Sequence, residues 1–139
     1  MTIEKIEELV NAIGLKAKSS ANSLAYSDPE KKRRALLNAA LSVLDNKTII
    51  LEANKEDIER SINKDLSEAM LDRLKLNEDR VNGISNGLVE IANLTDPVGK
   101  ILDEWIQPTG LNIKRVQTPL GVIGVIYESR PNVTADAGG

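Results

Sequence analysis

A run of mostly β-branched residues late in the chain, Gly121-Val-Ile-Gly-Val-Ile-Tyr127, constrains the fold more than anything before it. Its apolar residues follow one another instead of alternating, the pattern of a strand covered on both faces. Strands of that kind sit in parallel sheets beneath helices, so an α/β fold is expected.

The first hundred residues supply helices. Ile3, Ile6, Val10, Ile13, Ala17, Ala21 and Leu24 recur at steps of three or four and predict a helix over 3–24. Ser27-Asp-Pro-Glu30 marks a second start, with Asp28 capping ahead of Pro29 or Ser27 and Glu30 forming a capping box. Leu36, Leu37, Ala40, Val43 and Leu44 face inward on that helix, which ends near Asp45-Asn46. A third, opened by Thr48, runs through Ile50, Ile58 and Ile62; a short piece around Leu71 and Leu74 then precedes a longer one with Val81, Ile84, Leu88 and Ile91.

Asp96-Pro-Val-Gly99 ends the helical period. Residues 100–106 and 111–117 read as strands joined by the turn-forming Gln107-Pro-Thr-Gly110. Their alternation slips by one between Ile113 and Val116, as a bulge or an edge strand would produce. The expected architecture is therefore an amphipathic helical layer, a strand pair, and the first buried strand of a Rossmann-like sheet leading into a helix.

Composition narrows the function. At 139 residues and 41% hydrophobic content the chain is sized for one domain or part of one. Aromatic residues make up 2%, too few for base-stacking platforms, and a formal charge of −3 gives no field to draw nucleic acid or an anionic membrane. No apolar run approaches the roughly 20 residues needed to span a bilayer, and the start, with Glu4, Glu7 and Glu8, lacks the basic flank of an export signal. A cytoplasmic protein with neither nucleic-acid nor membrane partners is expected. The sequence holds no cysteine and no histidine, which excludes disulfides, the usual zinc sites and thiol or Ser-His catalysis by these residues; no metal is expected. The three Asn-X-Thr triplets at Asn46, Asn93 and Asn132 carry no weight without an export signal.

Lys31-Lys-Arg-Arg34 reads as a solvated helix face offset by Asp28 and Glu30. Gly121 and Gly124 fall inside the strand and miss the three-glycine dinucleotide pattern, so close sheet packing explains them better. Tyr127-Glu-Ser-Arg-Pro-Asn132 is different, because it lies where ligands bind in open α/β folds, at the carboxyl end of the strand. Unpaired N–H groups of the helix that starts at Val133 would favour an anion there. Arg130 could hold a phosphate or carboxylate in bidentate fashion, and Asn132 could donate to a developing oxyanion. The same residue types also permit a bland arrangement, with Asn132 or Thr134 capping the helix, Pro131 shaping the turn and Arg130 pairing with Glu128. Residue types alone leave both open.

The stretch Pro119-Leu-Gly-Val-Ile-Gly-Val-Ile-Tyr-Glu-Ser-Arg-Pro-Asn-Val-Thr134 closely resembles the signature of the glutamyl phosphate reductase family, within the aldehyde dehydrogenase superfamily. Upstream, Leu51-Glu-Ala-Asn-Lys-Glu-Asp57, Asp72-Arg-Leu-Lys-Leu76, Asp96-Pro-Val-Gly99 and Gly110-Leu-Asn-Ile-Lys-Arg-Val116 resemble the same family in the same order. The resemblance implies NADPH-dependent reduction of L-glutamate 5-phosphate to L-glutamate 5-semialdehyde in proline biosynthesis, by a cysteine thiolate that displaces phosphate and a hydride that reduces the thioester. It also implies a homo-oligomer and an aldehyde dehydrogenase-like fold. Residues 1–99 would form a helical layer of the cofactor-binding domain, 100–118 part of the oligomerisation element, and 119–139 the start of the nucleotide-binding core. By the same resemblance Asn132 becomes the oxyanion donor, Arg130 a ligand of substrate phosphate or carboxylate, and Tyr127, Glu128, Ser129 and Pro131 the cofactor-side loop.

The family continues well past the point that Gly139 matches, and its catalytic cysteine has no counterpart here. An N-terminal segment, inactive by itself, is expected. The alternative of a different class is a non-catalytic helical module that pairs through its sheet edge.

Overall fold

The computed structural model of the chain describes residues 2–62 and 66–139, which fall into two compact units. One unit comprises Pro29–Leu94 and Val125–Gly139. Among its described residues the regular elements are all helices: α2 (Pro29–Asp45), α3 (Lys47–Ile62), α4 (Glu68–Leu74), α5 (Glu78–Ala92) and α6 (Val133–Gly138). Local chemistry fixes the starts of α2, α4 and α5. Pro29 opens α2 directly after Asp28, where a missing N–H costs nothing. Ser67 Oγ accepts the Met70 N–H at the head of α4, and Asn77 Oδ1 accepts the Arg80 N–H, at 2.8 Å, at the head of α5.

The core lies between α2 and α5. Val81 is fully enclosed, and Ala40, Ile84, Leu88 and Ala92 are buried with it. The helical period placed Ala40, Val81, Ile84 and Leu88 inward, and burying side chains such as these three larger ones contributes about 1.5–3 kcal/mol each. Ala40 is small enough for α5 to approach closely, and the buried Ser85 hydroxyl donates to the Ala40 carbonyl at 3.0 Å. A second buried polar side chain, Asn54 of α3, reaches the end of α4. Its amide donates to the Leu74 carbonyl at 2.8 Å and its oxygen accepts the Leu76 N–H at 2.7 Å.

The other unit comprises Met1–Asp28 and Thr95–Gly124. It contains α1 (Ile3–Ala25), amphipathic as the spacing predicts but burying none of its residues, and a hairpin of β1 (Ile101–Ile106) and β2 (Asn112–Val116). The strands pair antiparallel, with Trp105 opposite Ile113. The register slips between Ile101 and Asp103, opposite Val116 and Arg115, which puts a bulge on β1; β2, where the alternation breaks, pairs without an extra residue and is an edge strand of a two-stranded sheet.

Gly110 closes the hairpin. Its N–H reaches the Gln107 carbonyl at 2.8 Å, the Gln107 N–H reaches the Leu111 carbonyl at 2.9 Å, and its own φ is 86°. This is the three-residue loop that needs a left-handed residue in its last position. Gly110→Ala is therefore expected to destabilise the hairpin by about 1–2 kcal/mol. Hydrogen exchange at Ile113 and Arg115 would show it as faster opening; unchanged protection would count against the turn assignment.

Residues 121–127 depart from the sequence reading. They were expected to form a buried strand, but they carry no ladder, and Ile126 is fully exposed, with Val122, Ile123 and Val125 at least half so. The physical reason is the absence of a pairing partner: among the described residues the only ladder is the one between β1 and β2. A strand covered on both faces owes its burial to neighbouring strands and overlying helices, whatever its own residues prefer.

Candidate functional site

The helical unit contains an open groove of about 550 Å³, and two separated sequence motifs line it. One wall is the junction of α4 and α5. Arg80, in the first turn of α5, turns its guanidinium back across that junction. It donates to the main-chain carbonyl of Asp72, to that of Lys75 at 2.6 Å, and to both Asp72 carboxylate oxygens at 3.2 Å. Carbonyls at a helix end lack intrahelical partners, so Arg80 serves as the side-chain cap of α4. The pair with Asp72 is exposed and adds little by itself, but the fork fixes where the wall stands. Arg73 and Lys75, on either side of Leu74, line the same groove.

The opposite wall is the loop that follows residue 127. Its ends are tied together by a 2.7 Å hydrogen bond between the Tyr127 hydroxyl and Thr134 Oγ1. Between them the chain reverses at Ser129, whose φ of 54° is left-handed and uncommon for a residue with a side chain. Arg130, Asn132 and Asp136 face the groove. Asn132 Nδ2 donates to Asp136 Oδ2 at 2.8 Å, which orients the amide and leaves its second N–H for another acceptor.

Of the bland alternatives, Pro131 does sit in the turn ahead of α6, but the other contacts expected of them are missing. Asn132 makes no side-chain cap bond to α6. Among the described residues, neither Arg130 nor Glu128 has an ion-pair partner, and Glu128 is exposed away from any hydrogen bond. Pro131 is half-buried and, with Thr134 and Ala135, borders a mainly apolar cavity of about 490 Å³ beneath the loop.

One expectation is overturned. The N–H groups at the head of α6 were expected to be unpaired and aimed at a ligand. Those of Val133, Thr134 and Ala135 instead donate to the carbonyls of Arg130, Pro131 and Asn132, at 3.1, 3.3 and 3.0 Å. Successive tight turns through 130–132 satisfy the helix end internally, and α6 has only six residues. Any anion here must be held by side chains.

The charge of the groove supports that function. Four cations, Arg73, Lys75, Arg80 and Arg130, share it with two carboxylates, Asp72 and Asp136, in a chain whose net charge is −3. Of the four, only Arg80 is paired among the described residues. The remainder of the basic run at Lys31 behaves as expected of a helix face, with Arg33 bound to Glu30 at 3.0 Å.

No family model matches the chain. Solved structures do. A gamma-glutamyl phosphate reductase from Thermotoga maritima superposes with a TM-score of 0.84 at 36% identity, over 88% of this chain and 30% of the other. One from Saccharomyces cerevisiae gives 0.82 at 34% identity, over 91% and 32%. The chain belongs to the gamma-glutamyl phosphate reductase family. It spans about a third of the length of these two reductases, and its helical segment followed by an antiparallel strand pair matches the N-terminal part of the reductase fold.

Sequence reasoning singled out Arg130 and Asn132, and the structure brings both to one groove. It missed Arg73, Lys75, Arg80 and Asp136. The signal for two of these, Arg73 and Lys75, was in the sequence, since Asp72-Arg-Leu-Lys-Leu76 belongs to the reductase resemblance, but as a short helical piece it carried no assigned role. The helix-period reading also gave no reason to join it to a loop more than fifty residues away.

Proposed function

We propose that this chain contributes the N-terminal part of an NADPH-dependent gamma-glutamyl phosphate reductase, converting L-glutamate 5-phosphate to L-glutamate 5-semialdehyde and phosphate in L-proline biosynthesis. The observation that carries this reading is the position of Arg130 and Asn132 in a cationic groove, within a chain that matches that reductase fold.

In this reading Asn132 is the oxyanion donor. Its amide is already oriented by Asp136, so the spare N–H meets the acyl oxygen as negative charge develops, without reorganisation during the reaction. Arg130 holds the substrate's phosphate or carboxylate. The nucleophile is a cysteine thiolate in the family mechanism, and since this sequence has no cysteine, that role falls to none of its residues.

NADPH supplies the hydride when bound. Tyr127, Glu128, Ser129 and Pro131 are proposed to border it: the Tyr127–Thr134 bond holds the loop shut, Ser129 offers a hydroxyl at the reversal, and Pro131 presents an apolar edge. That combination of apolar surface and hydroxyl fits a nicotinamide nucleotide. The helices and residues 119–139 would belong to the cofactor-binding domain, and the β1–β2 hairpin, whose Ile106 and Leu111 stand exposed, to the element through which a cytoplasmic homo-oligomer forms.

The test is a chimera in which this chain replaces the matched segment of the Thermotoga maritima reductase. It is expected to oxidise NADPH in the presence of enzymatically generated glutamyl phosphate. A folded chimera that is inactive, beside an active parent enzyme, would overturn the reading.

A further inference from the structure

The backbone of Lys75 ends α4, but the charged ends of Arg73 and Lys75 make no hydrogen bond or ion pair among the described residues. Arg80 does the capping of α4, and Asn54 holds the Leu74 carbonyl and the Leu76 N–H on either side of Lys75. Among the described residues, neither Arg73 nor Lys75 has a carboxylate partner, whereas some cations elsewhere in the unit do, as in Lys47 with Glu78 at 3.0 Å and Arg60 with Glu56 at 3.3 Å. Both line the groove that Arg130 enters from the opposite wall. Three unpaired cations converging on one concavity repel one another unless an anion lies between them. Of the two carboxylates present, Asp72 is paired with Arg80, while Asp136 keeps its charge beside the neutral Asn132 amide and offsets one of the three cations, which leaves the groove two positive charges in excess.

We infer that Arg73 and Lys75, together with Arg130, form a site for a doubly charged phosphoryl group. A single carboxylate would leave much of this charge uncompensated, whereas a phosphate dianion presents three acceptor oxygens to three cations. The Arg80 fork sets the wall that carries Arg73 and Lys75, and the Tyr127–Thr134 tie sets the one that carries Arg130. The inference deepens the reductase reading and rests on it for the identity of the phosphate's owner. The phosphoryl group belongs either to the acyl phosphate substrate or to the 2′-phosphate of NADPH.

The experiment titrates the 139-residue chain with inorganic phosphate, followed by amide chemical shifts. Shifts are expected at 73–83 and 130–136. R73Q and K75Q should each weaken binding about tenfold, as expected for one charged contact, while R73K keeps part of it and K31Q on α2 changes nothing. Acetate at equal ionic strength should shift the same amides far less. Phosphate shifts spread equally over the α2 face, or unchanged by R73Q, would overturn the site.

Two further arms separate the sources. In the active chimera, R73Q should raise the KM for glutamyl phosphate about tenfold with kcat retained if the acyl phosphate is the owner. If the cofactor is, R73Q should weaken NADPH but not NADH. A chimera that turns over normally with R73Q on both counts sinks the inference while leaving the reductase reading intact. An inactive chimera whose groove still binds phosphate does the reverse.

Discussion

Asn54→Ala is expected to lower the stability of the helical unit by about 1–3 kcal/mol. The side chain is only 5% exposed, and both of its polar atoms serve backbone groups that the helices do not satisfy. The Leu74 carbonyl stands at the end of α4, beyond any intrahelical donor, and the Leu76 N–H precedes α5. Truncation leaves both without their partner in a half-buried junction. Because Leu74 and Leu76 are not fully enclosed, water relieves part of the penalty, which keeps the expected loss from being larger. Asn54→Asp should be at least as damaging, since a carboxylate would replace the donor facing the Leu74 carbonyl. Urea denaturation followed by circular dichroism measures the effect, and a loss below about 0.5 kcal/mol would mean the two backbone groups find other partners.

Asn132→Ala in the chimera is expected to cut kcat by about 10²- to 10³-fold, the usual cost of removing one oxyanion donor. KM should change much less, because the amide acts on charge that develops only in the transition state. The 2.8 Å bond to Asp136 refines the expectation. Asp136→Ala removes no donor, yet frees the amide to rotate, so it should lower kcat by about tenfold and leave substrate binding in place. Equal losses in both variants would make Asp136 a direct participant instead. An Asn132→Ala chimera with unaltered kcat would remove the oxyanion role.

What the sequence revealed depended on how local the cause was. Pro29 acts within one turn of itself, so the start of α2 was legible, whereas the equally local caps Ser67 and Asn77 were not singled out; Ala40, Val81, Ile84 and Leu88 were placed inward by a period that one helix imposes on its own residues, but Leu44, placed with them, is 39% exposed. The break in alternation between Ile113 and Val116 belongs to β2, an edge strand, while the bulge lies on β1 and shows only in the register. Residues 121–127 were read from intrinsic preference, and preference does not make a ladder without a neighbour. Asn54 and Arg80 were invisible because their partners are main-chain atoms in another element. The groove needed both walls, and no rule of spacing links Arg73 to Arg130.

The hairpin carries the chain's one tryptophan, Trp105, set against Ile113 on the neighbouring strand. Its fluorescence thus reports on the strand pair, while most of the ellipticity comes from helices assigned to the other compact unit. A single optical probe followed through a melt would describe one half of the molecule. Only where emission and dichroism trace the same curve can the 139 residues be treated as one cooperative system with a single unfolding free energy.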